Sequence, residues 1–242
     1  MYIFDYELTQ VVIDTTWKGK DPVSLEFLLR RPTLEQLLER EKKSSVEQIQ
    51  QNAREDRWKI DVGPAQQRLF DAIAKQIAGY PGWDAPREAT PELLAAMRGA
   101  HKEAAIDVLY RHETKVLEDE STMTFDGGEY AVEMTIGAGI DAQTVKFRLR
   151  EWTEPERRKY LGDDTSINQV RGAKLSHTTI RFNLKAALTL FDACVLSVDG
   201  GTVAGKSWAD ADRSTFLASI DPTWKRSVID VLKDVWQGKL QD

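Results

Sequence analysis

Apolar residues along this chain fall into two periodicities. Strict alternation runs through Tyr2, Phe4, Tyr6 and Leu8, and again through Leu25, Phe27 and Leu29. It returns at Tyr130, Val132, Met134 and Ile136, and at Val145, Phe147 and Leu149. A period of two places such residues on one face of a strand, so the pattern predicts β segments over 2–13 and 122–136, each followed by a second strand. Asp126-Gly127-Gly128 reads as a turn within the later segment. Helical spacing appears elsewhere. Leu69, Phe70, Ile73 and Ile77 form one apolar face between Pro64 and Gly79, and Ile180, Leu184, Ala187, Leu188, Phe191, Cys194 and Val195 form a longer one. Thr33 to Gln36 and Thr153 to Glu156 read as capping boxes that open a helix after each second strand. Thr90-Pro91 starts a short helix through Leu93, Leu94 and Met97, matched by 209–219 with Phe216 and Leu217 inward. A last helix is expected over about 101 to 117, with Ala105, Val108 and Leu109 inward. Its counterpart opens at Asp221-Pro222 and carries Val228, Val231, Leu232 and Val235. The stretch 39–56 is nearly all polar and reads as a solvated helix or a mobile excursion, with no site assigned to it.

These paired expectations reflect a repeat. Phe4-Asp5 returns as Phe125-Asp126, and Phe27, Leu29, Arg30 and Thr33 return as Phe147, Leu149, Arg150 and Thr153. Leu69 to Ala72 return as Leu190 to Ala193, and Lys102 with Ile106 to Leu109 return as Lys225 with Ile229 to Leu232. Four collinear blocks with offsets of 120 to 123 positions argue for a tandem duplication, with repeats at 1–120 and 121–242. The fold class expected is α+β and mostly helical, each repeat a small β element followed by about four helices.

Composition narrows the function. The chain has 242 residues, and 33 basic against 39 acidic residues give a formal charge of -6, which argues against a general nucleic-acid binder. No apolar run reaches a membrane-spanning length and no basic leader is visible, so the expected compartment is the cytoplasm. The single cysteine, Cys194, excludes intrachain disulfides, and His101, His112 and His177 lack metal-ligand spacing.

One enzyme motif matches by letter. Gly200 to Ser207 (GGTVAGKS) fits the phosphate-binding pattern G-x-x-x-x-G-K-[ST], whose backbone N–H groups and lysine point at phosphates. That chemistry needs a buried strand before the loop and a helix after it. The run before it has helical spacing, Asp210 and Asp212 would repel phosphate, and the aligned loop from Ala78 to Trp83 lacks the lysine. A glycine-rich turn is the preferred reading. Asp71 and Asp192 recur at one place in an apolar helix and read as partners of basic side chains. Cys194 lies on an apolar stripe and reads as a structural thiol. Arg30 and Arg150 lie opposite the apolar face of their strands, as a cationic face for a partner or a solvated one paired with Glu26 and Glu151. Tyr80, Trp83 and Trp208, in the loops where the repeats differ most, are candidate aromatic anchors for a partner.

In each half a short β segment is followed by Phe-x-Leu-Arg-x-x-Thr-x-x-[Glu/Gln], a Leu-Phe-Asp-Ala helix, a glycine loop and a closing Lys-x-x-x-Ile-Asp-Val-Leu helix. In the second half these are Phe147 to Glu156, Leu190 to Ala193, Val198 to Gly201 and Lys225 to Leu232. The pattern resembles the phage tail assembly chaperones and the related baseplate-assembly chaperones. The resemblance implies a non-enzymatic protein of the host cytoplasm, without cofactor, that holds a tail component such as the tape-measure protein until the tail is built. Two alternatives stand beside it: a structural protein of the tail, neck or baseplate, and a P-loop nucleotide-binding enzyme. The sequence leaves the oligomeric state open.

Overall fold

The computed structural model describes residues 1–17, 21–51, 55–124, 127–137, 142–171 and 175–237, and for residue 17 and within 45–61 and 165–182 it describes backbone alone. Up to residue 110 the elements are β1 (Tyr2–Ile3), β2 (Leu8–Trp17), β3 (Asp21–Arg30), α1 (Leu34–Lys43), β4 (Ser45–Gln51), β5 (Glu55–Asp61), α2 (Gly63–Ile73), β6 (Ala74–Ala78), β7 (Arg87–Glu88), α3 (Pro91–Ala96) and α4 (Gly99–Leu109). Then come β8 (His112–Thr124), β9 (Gly127–Ile136), β10 (Gln143–Arg150), α5 (Glu154–Asp163), β11 (Thr165–Arg171), β12 (Leu175–Phe182), α6 (Leu184–Cys194), β13 (Val195–Asp199), β14 (Gly201–Thr202), α7 (Arg213–Ser219) and α8 (Pro222–Trp236).

Among the described residues these strands hold 96 of the chain's 242 positions, so the architecture is a mixture of helix and strand, not the mostly helical one expected. Among the described residues they form three four-stranded sheets, ordered β2-β3-β6-β7, β8-β9-β10-β13 and β11-β12-β4-β5, and a parallel pair β1-β14. The excess of strand has four sources. The polar stretch 39–56 ends α1 at Lys43 and becomes the hairpin β4-β5. The helix expected to continue to 117 stops at Leu109, and the following residues pair with β9. Ile77 leaves the helical face and lies in β6 opposite Phe27. The run from Ile180 to Val195 is strand, helix and strand in turn, because Asn183 caps α6 through its side chain and Val195 opens β13. The pair Phe125-Asp126 lies outside the described residues.

The chain forms two compact units. The N-terminal unit comprises Tyr6–Tyr110 and Ser166–Arg181; the C-terminal unit comprises Met1–Asp5, Arg111–Thr165 and the chain from Phe182 onward. Each unit is built by the same local rules. In the N-terminal unit, β3 buries Leu25, Phe27 and Leu29 against Leu69, Phe70 and Ile73 of α2, and the rings of Phe27 and Phe70 meet edge to face with centroids 5.2 Å apart. In the C-terminal unit, β10 buries Val145, Phe147 and Leu149 against Leu190, Phe191 and Cys194 of α6, with Phe147 and Phe191 at 5.7 Å. Each such aromatic contributes about 1.5–3 kcal/mol through apolar burial.

Both capping boxes form. Thr33 Oγ1 accepts from the Gln36 N–H at 3.3 Å and Gln36 Oε1 accepts from the Thr33 N–H at 3.0 Å. Thr153 and Glu156 make the same exchange at 3.5 and 2.8 Å. Asp71 and Asp192 each bind a buried lysine, Lys102 and Lys225, at 2.6 Å in both units. The lysine stems cover apolar surface while the ammonium groups reach a carboxylate at the helix edge. Both sheets also carry a bulge at the same step, Leu28/Leu29 and Arg148/Leu149.

Candidate partner-binding site

Each unit carries a groove between the capped helix and the helix that follows the inserted hairpin. Between α1 and α2 the groove holds about 350 Å³, and between α5 and α6 about 320 Å³. The walls correspond position by position. Ala65, Leu69 and Ala72 line the first groove and Ala186, Leu190 and Ala193 the second. Small residues at these positions leave room between the helices, and one leucine provides an apolar floor. The rims differ. Glu39, Lys43 and Arg68 of the first groove are replaced by Lys159, Asp163 and Thr189 in the second. Two grooves of similar volume and corresponding walls therefore present different charge patterns.

Arg30 and Arg150 stand beside these grooves, and neither is a free cation. Arg30 donates from Nε and a terminal nitrogen to the Ala72 carbonyl at 3.1 and 2.9 Å. Arg150 donates to the Ala193 carbonyl at 3.1 Å and to both carboxylate oxygens of Glu156 at 2.9 and 2.7 Å. Those carbonyls lie at the C-terminal ends of α2 and α6, where a cation also meets the negative end of the helix dipole. The partners anticipated, Glu26 and Glu151, are not the ones used: Glu26 accepts from Gln10, and Glu151 offers Arg150 only its backbone carbonyl. The Arg150 hydrogen bond holds the Glu156 carboxyl down to about 2. Burial pushes the Cys194 thiol up to about 12, the state of a packed and unreactive sulfur.

The aromatic candidates pack inside their own units. Tyr80 Oη lies 2.8 Å from His101 Nδ1, its ring meets Trp83 at 5.0 Å, and the Arg87 guanidinium covers Trp83 at 4.3 Å. Trp208 is half-buried, edge-on to the buried Phe216 at 5.3 Å. Neither cluster lines a groove, so Tyr80, Trp83 and Trp208 are not brought together with Arg30 and Arg150 into one site. The groove walls were missed in sequence, although Leu69 to Ala72 and Leu190 to Ala193 had already been matched as a repeated block. The sequence reading gives these alanines no role, and it is their place between two helices that makes them groove walls.

The glycine-rich stretch from Gly200 to Ser207 has the strand that phosphate binding needs, β13, but not the helix. Val203 and Lys206 exchange backbone hydrogen bonds at 3.0 and 2.9 Å, closing a two-residue turn in which Ala204 and Gly205 have φ of 48° and 74°. The Ala204 N–H is taken by the Asp5 carboxylate at 2.9 Å. Three N–H groups that a phosphate would use are thus committed, one of them to an anion. The next helix, α7, starts six residues after Ser207 behind its own Asp212 cap.

No family model, curated protein or solved structure matches this chain. Among the described residues no helix is long and apolar enough to cross a membrane.

Proposed function

We propose that this is a non-enzymatic partner-binding protein that acts as an assembly chaperone for a phage tail or baseplate component in the host cytoplasm. The observation that carries the reading is the pair of grooves. Corresponding floors with different rims suit one asymmetric partner that engages two related sites, where the second contact is made at high effective concentration. A groove between two helices with small apolar walls and a charged rim suits an amphipathic helix or an extended segment. The resemblance in the Phe-x-Leu-Arg and Leu-Phe-Asp-Ala blocks supports the choice of partner class, a tape-measure-like protein.

The test is co-expression with a phage tape-measure protein, followed by co-purification. Ala72 and Ala193 are exposed, so Ala72→Gln and Ala193→Gln fill the grooves without burying new volume in a core. Each should weaken capture, and the double variant should abolish it while thermal unfolding stays unchanged. Undiminished capture by the double variant refutes the grooves as the site. Mass spectrometry of finished particles separates a chaperone, which is absent, from a structural protein, which is present in fixed copy number.

A further inference from the structure

The hairpins β4-β5 and β11-β12 occupy the same place in their repeats, between the capped helix and the next helix. They correspond with an offset of 120 residues, Ser45–Gln51 with Thr165–Arg171 and Glu55 with Leu175. In the sheet β11-β12-β4-β5 they do not join through like strands. The second strand of the later hairpin pairs antiparallel with the first strand of the earlier one, from Leu175 opposite Gln51 to Ile180 opposite Val46. This junction is head-to-tail. It uses one kind of edge from each hairpin and leaves the other kind at each end: a second strand, β5, and a first strand, β11. Among the described residues neither outer edge pairs with another strand. A head-to-tail contact whose two faces both remain available propagates, as a ring if its rotation closes and as an open filament if it does not.

We propose that a second copy of this chain adds to the sheet, β5 of one copy pairing antiparallel with β11 of the next and repeating the junction between β12 and β4. The register follows by transfer. Glu55 lies opposite Arg171 of the neighbouring copy, Arg57 opposite Gln169, Trp58 opposite Asn168, and Ile60 opposite Ser166. Across these positions no like charges face each other, and Glu55 with Arg171 is a complementary pair. The symmetric alternative, β5 against β5 centred on Trp58, sets Arg57 against Lys59 and Glu55 against Asp61, both repulsive. The charge pattern therefore selects the head-to-tail arrangement. This inference does not depend on the function proposed above.

Cysteine cross-linking of the full chain tests it, with the buried Cys194 left in place. Glu55→Cys and Arg171→Cys proteins are made separately, mixed and oxidised. A disulfide joining the two variants, with neither variant cross-linking to itself, is the expected result. A Glu55→Cys homodimer, or no cross-link, overturns the proposal. The unaltered protein should sediment with concentration-dependent mass in steps of 27.4 kDa that pass beyond the dimer. A monomer at the highest soluble concentration, or an assembly that stops at a symmetric dimer, also overturns it. Glu55→Arg should weaken assembly about two- to fivefold and Arg171→Glu in the same chain should restore it. Loss without restoration counts against the register.

Discussion

After β6 and after β13 the chain makes one turn and then follows two courses. Gly79 and Gly200 both take a left-handed φ, 84° and 87°, and both press against a backbone carbonyl of the neighbouring strand, that of Ser24 in β3 or Thr144 in β10. A side chain at either would strike that carbonyl, so glycine is required twice for one reason. The next residue separates the units. In the N-terminal unit it is Tyr80, whose ring turns back onto His101 in the first turn of α4. In the C-terminal unit it is Gly201, and the space is taken by Phe4, whose ring a Cβ at Gly201 would strike. Phe4 is 1% exposed, 5.4 Å from Phe216 and 6.2 Å from Trp224, and Trp224 sits in α8 where His101 sits in α4. The segment carrying Phe4 is held by Tyr2 N–H to Gly200 O at 2.8 Å and Phe4 N–H to Thr202 O at 2.9 Å. One unit fills its own slot; the other is completed by the first five residues of the chain. Tyr80 in one unit stands where Gly201 leaves room for Phe4 in the other.

The sharpest break of this comparison is Phe4→Ala. It should cost about 3–5 kcal/mol, the usual penalty for truncating a buried phenylalanine. Tyr80→Ala should cost less, about 1–2 kcal/mol, since Tyr80 is only half-buried and loses one hydrogen bond. Urea unfolding of both variants decides, and equal losses would remove the asymmetry. A second change converts one arrangement into the other. Gly201→Tyr should displace residues 1–5 from the slot at a cost of about 1–3 kcal/mol for the misfit. The amides of Tyr2 and Phe4 should then exchange fast with solvent. If they stay protected, the slot accommodates both side chains and the exclusion argument fails.

Sequence reading did well where structure is local. Both capping boxes, the alternation of Leu25 to Leu29 and Val145 to Leu149, and the pairing of Asp71 and Asp192 with lysines follow from residues close in sequence or from the repeat itself. It failed where strand pairing overrides local preference. Ser45 to Gln51 is rich in Glu and Gln, residues with helical preference, and becomes strand between β5 of its own hairpin and β12, over 120 positions away. Glu113 to Leu117 reads as the end of the preceding helix and instead pairs with β9. The site reads differently. The aromatics of the variable loops pack within their own units, Trp208 against Phe216 and Tyr80 against His101, and stand apart from the grooves. The grooves were hidden in alanines, whose meaning depends on how far apart two helices lie.

A smaller change sharpens the self-filled slot. Tyr80→Phe keeps the ring and removes the hydroxyl that meets His101 Nδ1. It should cost about 0.5–1.5 kcal/mol, one hydrogen bond. Burial lowers the His101 pKa, so the ring is neutral at pH 7 and its Nδ1 can accept from the Tyr80 hydroxyl. An NMR titration should show His101 moving in Tyr80→Phe. No movement of His101 means that the hydroxyl is satisfied elsewhere.

The smallest expected effect separates the units by acid. Their capping boxes match in geometry but not in chemistry, since the residue that reaches back to the cap is Gln36 in one and Glu156 in the other. Gln36 does not titrate. Glu156 is held by Arg150, and its carboxyl drops from 4.5 to about 2. A lowered carboxylate pKa means that the unfolded chain binds the proton first. Its stabilising effect is therefore fully present above pH 4.5 and is lost progressively as pH falls toward 2. The pair is partly exposed, which keeps the effect modest. Urea midpoints measured from pH 7 down to pH 3 should fall more steeply in the native chain than in Glu156→Gln, whose cap copies that of the N-terminal unit. If the two curves run parallel, the Arg150–Glu156 pair contributes nothing that the neutral box at Gln36 lacks, and the units differ only at the slot filled by Phe4.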